Sequence, residues 1–230
     1  MPKRRGRSVR RTASYVAVVL GVLAVLVVVV FSLQAHQAKP VILYVNQGNG
    51  VVNGSNFVPM LDFAASKGFN TVFFQIYRQG ALLFSPVDLG TFVNETHSHG
   101  LRIFFALYLT NSSQVLPASI LGLGEDGISL DMSTLAPGTQ ASLLASLQAS
   151  YHGETAVTTT DMASTLKPDL LILETYGAAM QQYIRPGIIA SVGVFATSSQ
   201  SDYQSQFQYA LGNSDGVMVF DYAGLLKSGY

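Results

Sequence analysis

Gly127-Ile128-Ser129-Leu130-Asp131-Met132-Ser133 reads as an apolar strand that ends on a carboxylate. Asp126 and Gly127 turn the chain in, Ile128 and Leu130 suit a buried strand, and Asp131 stands where the strand gives out. A carboxylate at that point either caps the next turn or does chemistry. The choice depends on whether other strands end the same way. Two do: Leu170-Leu171-Ile172-Leu173-Glu174 and Gly216-Val217-Met218-Val219-Phe220-Asp221.

From Val41 onward, short apolar runs alternate with helical patterns. The runs are Val41 to Asn46, Thr71 to Tyr77, Arg102 to Tyr108, Gly127 to Asp131, Glu154 to Thr159, Asp169 to Glu174, Gly187 to Phe195 and Gly216 to Asp221. They are apolar at nearly every residue, as parallel strands covered on both faces must be. Helices are expected over Asn56 to Lys67, Pro86 to His99, Thr139 to Tyr151, Ala178 to Ile184 and Asp202 to Leu211. Shorter helical pieces are expected near Ser112 to Leu121 and Met162 to Leu166, and Gly68, Gly100 and Gly212 stand where helix C-caps belong. Eight such units in about 190 residues fall just short of the roughly 200 at the lower end for a (β/α)8 barrel. A compact (β/α)8 barrel over residues 40–230 is therefore expected, with a doubly wound open sheet as the alternative. Even spacing and the lack of a glycine-rich nucleotide turn favour closure.

The N-terminal part has a different composition. Tyr15 to Leu33 reads YVAVVLGVLAVLVVVVFSL, 19 residues without a charge. As a helix it would be about 28 Å long, close to the roughly 30 Å hydrocarbon core of a bilayer. Lys3, Arg4, Arg5, Arg7, Arg10 and Arg11 precede it and only Lys39 closely follows, so residues 1–14 are expected in the cytoplasm and the barrel outside. A cleaved signal peptide is the rival reading, but its apolar region usually has only about 7 to 15 residues and no clean Ala-x-Ala site follows. Residues 34–39 form a polar linker. Sequons at Asn53, Asn94 and Asn111 are compatible with an exported domain.

Charge and composition exclude several functions. The chain has 13 cations and 13 acids, but from Lys39 onward seven cations face all 13 acids, a net charge of −6. Nucleic acid, which needs clustered cations, is not an expected partner. With no cysteine, disulfides, thiolate nucleophiles and Cys-ligated zinc are excluded. Gly48-Asn49-Gly50 lacks the Gly-Lys-Ser/Thr ending of a phosphate loop. His97 and His99 have a metal-like spacing but precede a strand, on the face opposite strand ends, where histidine suits a helix C-terminus. No metal and no cofactor are expected. The sequence sets no oligomeric state.

In a barrel, active residues belong at the C-terminal ends of strands. That filter collects Asn46, Gln75, Tyr77, Arg78, Tyr108, Asp131, Asp161, Glu174, Tyr176, Asp221 and Tyr222. Lys67, His97, His99 and Arg102 come before strands and belong on the opposite face. A single strand-end carboxylate is more often a cap than a catalyst, and strand-end tyrosines are usually rim packing.

Three segments carry a family resemblance: Gly68 to Ser85, with its G-x-N-x-V-x-x-Q pattern, Gly100 to Leu107, and Asp126-Gly-Ile-Ser-Leu-Asp131. Together with Glu174 and the final run into Asp221-Tyr222, they resemble the glycoside-hydrolase-like TIM-barrel family over residues 41–222. The family continues into Tyr and Arg after the fourth-strand aspartate, whereas Met132 and Ser133 follow here. The resemblance implies carbohydrate as a partner and two-carboxylate chemistry. One carboxyl group donates a proton to the leaving oxygen and the other acts ionised. Glu174 is expected to be the acid, because Leu171, Ile172 and Leu173 before it and Tyr176 after it suggest an apolar setting. Asp131 is then the ionised partner and Asp221 a supporting carboxylate. Asn46, Gln75, Tyr77, Arg78, Tyr108, Tyr176 and Tyr222 are expected to bind substrate, the tyrosines through ring faces and Arg78 through an acidic sugar. The chain has no Trp, although sugar sites often use indole. The competing function is a non-catalytic barrel that binds glycan or a neighbouring protein.

Overall fold

A computed structural model describes residues 39–47, 52–111, 113–114, 117–194 and 199–229. The predicted cytoplasmic tail at 1–14, the transmembrane helix at 15–33 and the linker as far as residue 38 lie outside these residues. So do Gly48 to Gly50 and the predicted end of the seventh run near Ser198. Among the described residues no helix is long and apolar enough to cross a membrane.

Among the described residues nine strands form: β1 (Val41–Val45), β2 (Thr71–Arg78), β3 (Ala81–Leu82), β4 (Arg102–Tyr108), β5 (Gly127–Asp131), β6 (Glu154–Thr159), β7 (Leu170–Glu174), β8 (Ile189–Gly193) and β9 (Gly216–Phe220). Seven of them pair in parallel in the order β2, β4, β5, β6, β7, β8, β9, and β1 as the eighth pairs in parallel with both β9 and β2. The sheet therefore closes on itself, and the eight predicted runs are its eight barrel strands. The sequence reading did not include β3. It folds back antiparallel on β2 through Gln79 and Gly80, both at positive φ, 53° and 85°. Glycine adopts that backbone freely, but for Gln79 it is uncommon.

Closure divides each strand's side chains into two apolar sets, because successive residues point to opposite faces. Ile42, Tyr44, Phe73, Phe104, Ile172 and Met218 fill the barrel interior. Leu43, Val72, Phe105, Leu130, Val192 and Val219 face outward into the layer shared with the helices. Inside, Phe73 and Phe104 stack with centroids 4.8 Å apart, and Gly127 lies beside Phe104 in the β4–β5 register. A Cβ on Gly127 would come within 2.1 Å of that ring and 2.7 Å of the Glu154 carbonyl oxygen. The close approach requires glycine there.

Five α-helices surround the barrel: α1 (Phe57–Ser66), α2 (Pro86–Ser98), α3 (Pro137–Ser150), α4 (Gln200–Asn213) and α5 (Tyr222–Lys227). Ser85 and Asp88 form a reciprocal capping box at the start of α2, with Pro86 in its first turn. Gly68 and Gly100 follow α1 and α2 at φ 79° and 70°, as C-cap glycines do. Gly212 does not end its helix; α4 runs on to Asn213 and Ser214 caps it. The helix expected at Ala178 to Ile184 is a 3-10 helix over Ala178–Tyr183, and the piece near Ser112 to Leu121 reduces to the 3-10 turn Ala118–Ile120. Met162 to Leu166 contains a turn and no helix, so the connections after β6 and β7 carry no α-helix. These short connections let eight strands close within so few residues.

Candidate active site at the C-terminal mouth of the barrel

A cavity of about 270 Å³ opens at the C-terminal ends of the strands, lined by Asn46, Gln75, Arg78, Tyr108, Asp131, Ser133, Glu174, Tyr176 and Phe220. Seven of these were among the expected site residues. Asp131 is only 6% exposed and Glu174 is half-buried. The two carboxylates meet at one hydroxyl: Ser133 Oγ lies 3.0 Å from Asp131 Oδ1 and makes a short contact with Glu174 Oε1. On its other side Asp131 Oδ2 accepts from the Tyr44 hydroxyl at 3.1 Å. Gln75 hydrogen-bonds the same Tyr44 hydroxyl and accepts from the Gln47 backbone N–H at 2.8 Å.

Burial sets the electrostatics. Asp131, enclosed by the barrel, is pushed up to about 6, first by loss of water and then by the charge of Glu174, against hydrogen bonds from Ser133 and Tyr44. Glu174 is also raised by burial, with Ser133 opposing. The sequence placed the stronger perturbation on Glu174 because of its apolar chain neighbours. In the barrel Asp131 is the more deeply enclosed of the two, at 6% exposure, while Glu174 is half-buried and its neighbour Leu171 packs outward, away from the mouth. Tyr44 and Tyr176 are raised well above the ordinary tyrosine range, chiefly by burial.

Aromatic groups and one cation complete the mouth. Phe220, absent from the sequence reading, sits 5.1 Å from the Tyr44 ring and 6.0 Å from the Tyr176 ring. The Arg78 guanidinium lies 5.8 Å from the Tyr108 ring centroid. Arg78 faces the cavity, and the preceding Tyr77 does not, because the β2–β4 register shifts between Gln75 and Tyr77. An extra residue at this bulge puts Ile76 and Tyr77 together on the outer face and returns Arg78 to the inner face beside Tyr108.

Four of the expected strand-end residues, Tyr77, Asp161, Asp221 and Tyr222, lie outside this cavity. Asp221 is the N-cap of α5 and accepts from the Gly224 N–H at 2.9 Å, which makes it a capping group and not a third member of the carboxylate pair. Tyr222 is buried in the outer layer, edge-on to Phe63 with centroids 5.3 Å apart. Tyr77 lines a second, wider cleft of about 790 Å³ between the β2–β3 hairpin and the loop after β4. Its described lining is neutral, Gln79, Thr110, Asn111 and Gln114 among it, whereas Asp131 and Glu174 both line the smaller cavity. Asp161 turns its own loop, accepting from the Ala163 N–H at 3.0 Å.

The opposite face carries a structural charge network. Asp126 accepts from the Ile103 N–H at 2.8 Å and meets His97 at 2.9 Å, while Arg102 reaches Glu154 at 2.7 Å. His99 lies 3.3 Å from Asp62. Among the described residues no group of three or more His, Cys, Asp and Glu side chains is arranged to hold a metal.

In fold the chain is similar to the xylanase-A-amylase inhibitor protein XAIP-III, with a TM-score of 0.55 at 13% identity over 84% of this chain and 96% of that one. It is similar to XAIP-II, the xylanase and alpha-amylase inhibitor protein from Scadoxus multiflorus, with a TM-score of 0.52 at 12% identity over 84% and 96%. The protein CpGH84B gives 0.53 at 6% identity, over 79% of this chain but 44% of its own. At such identities the likeness is one of fold alone, a closed (β/α)8 barrel. No family model matches the sequence, and no curated protein matches it.

Proposed function

We propose that the chain is a membrane-anchored, glycoside-hydrolase-like protein that acts on an extracellular or envelope glycan, with Glu174 as the general acid and Asp131 as the ionised partner. The observation that carries this reading is that the buried Asp131 and half-buried Glu174 carboxyl groups, both raised by burial, meet at Ser133 in the cavity at the strands' C-terminal ends. Burial favours the protonated form of both groups, while the Tyr44 donor on Asp131 favours its ionised form. Tyr108, Tyr176 and Phe220 offer ring faces to a sugar, and Arg78 offers a cation to an acidic one.

The spacing supports a retaining course within this reading. Two hydrogen bonds laid end to end through Ser133 keep the nearest carboxylate oxygens within about 5.5 Å, the range of retaining hydrolases rather than the roughly 6.5 to 9.5 Å of inverting ones. Product sugar followed by proton NMR immediately after mixing is expected to keep the substrate's anomeric configuration. An inverted first product would contradict the assignment of Asp131 as nucleophile.

A second reading is favoured by two fold neighbours described as inhibitor proteins: a non-catalytic barrel whose mouth binds a glycan or another protein. A glycan-array screen of the full chain in detergent, followed by hydrolysis assays on each binder, separates the two. Binding without turnover by the parent protein favours the second.

Residues 15–33 are proposed as an uncleaved anchor, with residues 39–230 outside the cell, on the six cations before the apolar run. A protease site engineered at Gln37 is expected to be cut in intact cells. Cutting only after lysis would reverse the orientation.

A further inference from the structure

A serine hydroxyl carries a single hydrogen, yet Ser133 Oγ is in contact with two carboxylate oxygens, Asp131 Oδ1 at 3.0 Å and Glu174 Oε1 closer still. Its hydrogen serves only one of them. The second contact therefore needs a hydrogen supplied by a carboxyl group, since two bare oxygens at hydrogen-bond distance repel. Tyr44 has one hydroxyl hydrogen and gives it to Asp131 Oδ2. The other titratable or charged groups of the mouth are Arg78 and Tyr108, which face each other, Tyr176, which accepts from the Ser191 hydroxyl at 3.4 Å, and Asp221, which caps α5.

We propose that Asp131, Ser133 and Glu174 hold one proton in common and that Ser133 passes it between the two carboxyl groups. In one arrangement Glu174 is a carboxylic acid donating to Ser133 Oγ, and Ser133 donates to ionised Asp131. In the other, the Glu174 O–H bond breaks as its hydrogen bonds to Ser133 Oγ, and the original serine hydrogen moves to Asp131 Oδ1. Serine is unchanged, one proton has moved from Glu174 to Asp131, and the pair keeps its charge of −1. The Tyr44 hydrogen bond to Asp131 favours the first arrangement and the deeper burial of Asp131 favours the second, so neither carboxyl group holds the proton alone. Ser133 is thus a positioning and relay residue. Its use in turnover rests on the hydrolytic reading above, where it would let the two groups exchange acid and base states without bulk water.

The sharing is testable without any substrate. In the full chain in detergent micelles, with carbon-13-labelled Asp and Glu carboxyl groups, the Asp131 and Glu174 resonances are expected to move together through two common steps, as coupled sites do. The upper step should lie near or above pH 6. Ser133→Ala is expected to reduce the coupling to its direct charge–charge part and to raise Asp131, which loses a donor, while Glu174 loses its acceptor; Ser133→Thr, which keeps the hydroxyl, should restore the parent's steps. Glu174→Gln tests the same point in a second background. There Asp131 should titrate in one step, below the parent's upper step, because the neighbouring negative charge is gone. Single independent steps in the parent, or an Asp131 titration unaltered by Glu174→Gln, would overturn the proposal. Coupled steps in a protein that hydrolyses no glycan would leave it standing and remove only the hydrolytic reading.

Discussion

Asp131→Asn is expected to stabilise the barrel at neutral pH by up to about 3 kcal/mol, while lowering any glycan turnover by at least about 10²- to 10⁴-fold. Asp131 is raised from an ordinary 3.8 to about 6 by burial and by Glu174. A folded carboxyl group with a raised pKa binds its proton more tightly than the unfolded one does. The associated stability is fully present below about pH 4 and is lost as pH rises through about 6, the reverse of a salt-bridged aspartate. Asparagine never ionises. Its amide oxygen is able to accept from Tyr44 and its amide nitrogen to donate to Ser133, so the hydrogen-bond positions stay filled. Denaturant unfolding of parent and variant should agree near pH 4 and diverge by pH 7.5, with the variant more stable. A less stable variant at pH 7.5 would mean that the carboxylate supports the fold.

Phe104→Ala is expected to cost about 3 to 5 kcal/mol, the largest loss of stability in the barrel interior. Phe104 is fully buried, stacks on Phe73 and lies 5.2 Å from the Arg102 guanidinium. Its ring occupies the space that the missing Gly127 side chain leaves open. Gly127→Ala should therefore be destabilising too, by about 1 to 3 kcal/mol, because the new methyl meets both the ring and the rigid Glu154 carbonyl. Combined in one chain, the two changes are expected to cost less than their separate effects added, since removal of the ring relieves one of the two clashes. Additive losses in denaturant unfolding would show that Gly127 and Phe104 are not packed as described.

Most strands of this barrel are legible because burial on both faces gives them a nearly unbroken apolar run, as Ile103 to Leu107 shows. Closure follows from eight such runs with no room for crossovers longer than a single helix. Which strand-end residues reach the cavity is less legible. Alternation alone cannot locate a bulge, so Tyr77 and Arg78 look equivalent until the extra residue at Ile76 assigns one to each face. Asp221 reads as a rim carboxylate, but the Gly224 N–H three residues on makes it a cap. Ser133 did have a signal: Ser129, Asp131 and Ser133 are spaced two apart, and extending the strand's period by one step aims Ser133 at the same cavity. Tyr44 had the same signal, two residues before Asn46. The setting of Glu174 was not readable, because side chains beside it in sequence point to different faces of the sheet.

The central claim, that Asp131 and Glu174 form an acid–base pair in one cavity, is tested most directly by assaying the parent, Asp131→Asn and Glu174→Gln proteins together on a panel of envelope and extracellular glycans, with melting temperature measured on the same samples. Hydrolysis of at least one glycan by the parent and by neither variant, with both variants melting at or above the parent's temperature at pH 7.5, is the predicted result. No hydrolysis by the parent on any glycan, together with lowered melting temperatures in both variants, would contradict it.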